Sequence, residues 1–143
     1  MKVERSFRVP ADAETVRARL ADEATLTGLF PDARTEVTAR APGRITVKSR
    51  YKALGREGEA RFHFSWDESG DLAFEKVCDG NVWKQLRGAV VASADGASTR
   101  VRIAMEGRTK AFVPEITIKV PMEMQMDEMV GALRDRLSDD GGR

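Results

Sequence analysis

Cysteine, histidine and tyrosine occur once each in this 143-residue chain, as Cys78, His63 and Tyr51. A single cysteine cannot close an internal disulfide, and beside a lone histidine it leaves no zinc-type ligand set to assemble. An excess of one charge is missing too. Twenty-four Lys+Arg against 23 Asp+Glu leave a formal charge of +1, which argues against a strongly basic nucleic-acid binder. No apolar run approaches the roughly 20 residues of a membrane span. The opening Met1-Lys2-Val3-Glu4-Arg5 carries an acid and alternates, unlike a signal peptide. Ser/His/Asp arrangements, phosphate-cradling glycine loops and zinc spacings are likewise absent from the sequence. What remains is a chain 41% hydrophobic and 33% charged, the balance of an ordinary globular protein. We read residues 1–143 as one cytoplasmic domain with no cofactor or metal implied.

The hydrophobic period changes along the chain. Residues 2–9 alternate, with Val3, Phe7 and Val9 among charged neighbours, and Pro10 ends this strand. Asp12 is placed to cap a helix running to about Ala21, with Ala13, Val16 and Leu20 on one face. Leu26, Leu29 and Phe30 read as a second short helical turn before Pro31 and Asp32. Between residues 34 and 109 the period becomes two. Ile45, Val47, Ser49, Tyr51 and Ala53 fall on one face, as do Ala60, Phe62, Phe64 and Trp66, and then Val101, Ile103 and Met105. Turn signals at Pro42-Gly43, around Gly55 and Gly58, at Ser69-Gly70-Asp71, Asp79-Gly80-Asn81 and Asp95-Gly96 divide this stretch into six meandering strands. Residues 127–137 read as helix, firm from about Pro121. Upstream, Ile116, Ile118, Val120, Met122, Met124 and Met126 alternate as a strand would, which leaves residues 115–120 open between strand and helix.

Strand, two short helices, six antiparallel strands and a long final helix form an ordered series. With Phe7-Arg8-Val9-Pro10-Ala11-Asp12, Val16, Leu20-Ala21-Asp22 and Leu29-Phe30-Pro31-Asp32, the chain resembles the START/SRPBCC superfamily of polyketide cyclases, lipid carriers and pollen-allergen-type proteins. Arg17 stands where family members often carry an aromatic. The resemblance implies an α+β helix-grip fold, in which a curved antiparallel seven-stranded sheet wraps around the C-terminal helix. It also implies an apolar cavity between the two.

On that picture the inward set is Ser49, Tyr51, Phe62, Phe64, Trp66, Met105, Met122, Met126 and Met129. Methionine thioethers either fill the core under the sheet or mould to an irregular ligand, and the two roles coexist. Trp66 and Trp83 read as packing residues, with Trp83 sharing a strand face with Gln85 and Arg87. His63 points outward without an acid or nucleophile partner, and Cys78 is a small residue at a strand end. Aldol-type cyclisation would need polar groups aimed at a substrate oxygen. Only Tyr51 falls inward, since Arg50 points out. Residues 34–61 hold eight Lys/Arg against three Glu, and residues 115–140 hold seven acids against three bases. These read as solvated faces without the aromatics of a single-strand binder, and their opposite signs allow a homodimer. The resulting expectation is a non-catalytic binder of a hydrophobic or lipid-like small molecule. A cyclase or dehydratase using the same cavity and a ligand-free interaction module are the alternatives.

Overall fold

A computed structural model describes residues 1–31, 33–53, 56–78 and 82–138. Asp32 and the turns read at Gly55 and at Asp79-Gly80-Asn81 lie outside the described residues. The alternating N-terminal run forms β1 (Lys2–Val9), followed by α1 (Ala13–Leu20) and α2 (Glu23–Thr27). Asp12 caps α1, its carboxylate accepting from the Thr15 amide at 2.7 Å, and Asp22 caps α2 through the Ala24 amide at 3.1 Å. The period-two stretch then delivers β2 (Arg34–Ala41), β3 (Arg44–Ala53), β4 (Arg56–Trp66), β5 (Leu72–Lys76), β6 (Trp83–Asp95) and β7 (Ser98–Thr109). They form one curved antiparallel sheet ordered β1-β7-β6-β5-β4-β3-β2. The meander is therefore as the turns imply, and β1 closes it by pairing with β7 through Val3↔Met105 and Phe7↔Val101.

The open question at residues 115–120 resolves as helix: α3 runs Ile116–Ser138 with Pro121 inside it. The strand-like alternation has a geometric cause. Two residues advance a helix by about 200°, so successive even positions fall on nearly opposite faces. Met122 and Met126 join Met129, Leu133 and Leu137 in a buried stripe, and Ile118 is half-buried. Ile116, Val120 and Met124 form the other face and stay 81%, 61% and 61% exposed. The first half of α3 is apolar on both sides. Before it, Phe112 is fully exposed at φ 71°, a left-handed conformation unusual for a bulky residue.

Arginines lock the helices to the sheet from outside the core. The Arg17 guanidinium donates to the Ala92 carbonyl at 2.7 Å and meets Asp71 at 3.5 Å, while Asp71 accepts from the Ala92 amide. This strut occupies the position where the resemblance led to an aromatic. Arg19 donates to the Leu137 carbonyl at 2.6 Å near the end of α3. Arg136 reaches back to Thr25 at 3.0 Å and Asp22 at 2.7 Å. Arg134 covers the Phe7 ring at 5.4 Å, a cation–π contact between α3 and β1.

Glycine substitutions separate tight from loose backbone. A Cβ on Gly88 would lie 2.3 Å from the Phe74 ring and 2.5 Å from the Ala104 carbonyl oxygen, and a paired strand cannot retreat. Gly131, in α3, has nothing within 4 Å of its Cβ position. Urea denaturation is expected to show Gly88→Ala destabilised by about 1–3 kcal/mol. Gly131→Ala should instead be stabilised by about 0.5–1 kcal/mol.

Candidate functional site

The inner face of the sheet is set by register. Cross-strand partners project to the same side, so Ile45↔Phe64, Val47↔Phe62, Ser49↔Ala60 and Tyr51↔Gly58 share one surface of β3 and β4. Phe64↔Phe74 and Trp66↔Leu72 extend it to β5. An aromatic row follows. Phe30, arriving from beyond α2, stacks on Phe62 at 5.0 Å, and Phe64 continues to Phe74 at 6.0 Å. Met105 and the α3 methionines Met122, Met126 and Met129 are buried in the same core.

Each predicted inward residue can now be located. Phe62, Phe64, Met105, Met122, Met126 and Met129 are buried together in the grip. Trp66 is half-buried at the far end, and its indole Nε1 donates to the Leu20 carbonyl at 3.1 Å, closing the end of α1. Ser49 is buried, and its hydroxyl is 2.7 Å from that of Thr35 on β2. Tyr51 lies at the opposite end of the face, 38% exposed, with its ring over Gly58. His63 faces outward as read, 2.8 Å from the Thr46 hydroxyl. Desolvation and the nearby Arg44 hold its imidazole below the usual histidine range. Cys78 is half-buried.

Trp83 requires a correction. It does not share a face with Gln85 and Arg87. The register shifts between Trp83 and Gln85, a β-bulge that turns Trp83 and Leu86 to the buried side. Its ring and the Leu86 side chain cover Gly107, whose Cβ would stand 2.5 Å from the indole. Phe30, Phe74 and Trp83 are therefore inner-face aromatics that the alternation reading did not gather. Lys76 is another addition. It closes the inward series Leu72, Phe74, Lys76 on β5 and pairs with Phe62.

One end of this face is exposed and apolar. Tyr51, Val82 and Phe112 sit at the end of the sheet where α3 begins, and the Lys110 amide bonds the Val82 carbonyl there at 2.9 Å. A separate depression of about 410 Å³ lies between Ala24, Thr25 and Gly28 of the α2 region and Ala132, Asp135 and Arg136 of α3. It is open to solvent and shares no residue with the inner face. Outside, bases of the sheet meet acids: Lys48–Glu59 at 3.4 Å, Arg8–Asp95 at 2.6 Å, and Arg102–Glu4. Among the described residues no group of three His, Cys, Asp or Glu could hold a metal ion. No helix among them is long and apolar enough to cross a membrane.

No protein-family model and no curated protein matches the sequence. Solved structures do match the fold. The Zhui aromatase/cyclase from Streptomyces sp. R1128 superposes with a TM-score of 0.82 at 16% identity, covering 99% of this chain and 98% of that one. A START superfamily protein from Mycobacterium smegmatis gives 0.76 at 18% identity, with coverages of 95% and 96%. A STAR-related lipid transfer protein from Xanthomonas axonopodis gives 0.71 at 17% identity, with coverages of 96% and 86%. The chain therefore has the START/SRPBCC-like helix-grip fold.

The two inner-face hydroxyls differ in commitment, and substitution should separate them. Ser49→Ala strands a half-buried Thr35 hydroxyl and is expected to cost about 1 kcal/mol of unfolding free energy. Tyr51→Phe removes a hydroxyl at the exposed end and should leave the urea midpoint unchanged.

Proposed function

We propose that this protein binds an apolar or amphipathic small molecule between the sheet and α3 and releases it unchanged. The observation carrying this reading is the apolar inner face of the sheet, whose buried rings share one core with the α3 methionines and whose one end carries the exposed Tyr51. A mainly apolar interior with a few placed polar groups is the usual form of a small-molecule site. Burial alone would supply about 25 cal/mol per Å² before the cost of ordering the ligand. The similar folds of a lipid transfer protein and an aromatase/cyclase support a site in this location and leave open carriage or chemistry. Carriage is favoured because acid–base chemistry needs paired groups aimed at one substrate. Ser49 is engaged with Thr35, and His63 is on the other side of the sheet. The cyclase or dehydratase alternative would rest on Tyr51 and Lys76.

Solvent extraction of natively purified protein, followed by mass spectrometry against a denatured-and-refolded control, tests the reading. A stoichiometric apolar molecule found only in the native sample is expected. An empty extract together with no binding of Nile red would overturn it.

The outer face of α3 favours a second reading, in which two copies associate. Ile116, Val120 and Met124 form a short apolar stripe, flanked on one side by Lys119 and Glu123. In an antiparallel pair each flank meets its own copy, so Lys119 of one chain approaches Glu123 of the other, a self-complementary pattern. Sedimentation velocity should show a concentration-dependent dimer that Val120→Glu abolishes. A wild-type chain that remains monomeric at every concentration would refute it.

A further inference from the structure

Lys76 is out of keeping with the surface it occupies. It follows Leu72 and Phe74 on the inward side of β5, and its direct partner across the ladder is Phe62, itself buried against Phe30. The side chain is half-buried. Its neighbour Glu75 faces outward, paired with His63 and Arg87, and so cannot serve it from the same strand. Among the described residues no carboxylate stands against the Lys76 ammonium. Lys2 and Lys48, by contrast, meet Glu4 at 3.0 Å and Glu59 at 3.4 Å.

Packing does not require a lysine at this half-buried inward position, since a methionine would fill the same space, whereas a lysine stem lies along apolar surface with its ammonium at the edge. We infer that Lys76 anchors the anionic group of the ligand, which makes that ligand an amphipathic carboxylate with its apolar chain directed into the grip. This rests on the binding reading above and adds the polarity of the molecule and its direction. Lys76 lies two inward positions from Gly58, on which Tyr51 rests at the exposed end. A carboxylate held there sits just inside the entrance, and the chain extends past Phe62 toward Met126 and Met129. The flexible four-carbon stem suits a head group whose position varies with chain length, where a rigid guanidinium fork would fix one geometry. Desolvation also lowers the lysine pKa, with only the nearby Cys78 thiol opposing it, consistent with a charge set for a partner from outside the chain.

Displacement of Nile red, a neutral probe, by tetradecanoate and by tetradecanol tests this. The wild-type protein is expected to bind the acid at least about tenfold tighter than the alcohol, the worth of one hydrogen bond to a charged group. Lys76→Met should erase that preference while leaving Nile red and tetradecanol affinity in place. Lys76→Arg should retain a preference for the acid. Equal affinities in the wild type, or a preference that survives in Lys76→Met, would overturn the anchor and leave the binding reading standing. Failure of the wild type to bind Nile red and both amphiphiles would overturn the two together. Because Lys76→Met replaces a half-buried lysine with an apolar chain of similar length, the variant should fold, and its retained Nile red affinity verifies this.

Discussion

Three rings lying flat on three glycines set the depth of the grip. Tyr51 covers Gly58, Phe74 covers Gly88, and Trp83 covers Gly107, and at each glycine a Cβ would come within 2.6 Å of the ring above it. A ring standing upright from an inner strand would reach toward α3 and divide the interior. Laid on bare backbone it becomes part of the floor instead, and the space above is left to longer, softer side chains. The methionines of α3 occupy that space. Their thioether chains have three rotatable bonds and adapt to the space the floor leaves free. The same missing Cβ atoms that let the rings lie against the strands also keep the inner face smooth.

How much of this was legible in the sequence varies with the kind of signal. Strand faces were readable because a half-buried sheet enforces period two, and the faces through Ile45, Phe62 and Val101 came out as read. Trp83 was misassigned because a bulge adds one residue and reverses the side chains beyond it without any mark in composition. The start of α3 was ambiguous for another reason. A helix apolar on two opposite faces writes the same alternation as a strand, and only tertiary packing decides which it is. Phe30 belongs to the site through a long-range stack on Phe62, for which no local pattern exists. Lys76 was legible in principle, since Leu72, Phe74 and Lys76 alternate. A charged residue ending an apolar face reads as the strand leaving the core unless its ladder partner is known.

Polar groups are distributed so that the helices are tied down without charging the interior. Arg17, Arg19 and Arg136 reach carbonyls, hydroxyls and carboxylates around the outside of the grip. The Trp66 indole and the Ser49 hydroxyl satisfy protein partners at the rim and within the sheet. Arginine in place of an aromatic at position 17 fits this scheme. The strut from α1 to Ala92 and Asp71 holds the helix against β6 by directed bonds, so the short α1 does not need a large ring to stay in place.

Once those bonds are assigned, two polar groups of note remain on the inner face among the described residues. Tyr51 stands at the entrance, and Lys76 stands a short distance inside. Beyond them the described lining is apolar as far as Trp66, apart from the Ser49 hydroxyl engaged with Thr35. This distribution bears on the carriage reading proposed above, because electrostatic stabilisation of a reaction depends on polar groups being in place beside the reacting atoms. On that proposed reading, polarity at one end of an apolar face would hold a charged group near water and direct a chain toward the interior. Such asymmetry suits the proposed carriage of an amphiphile.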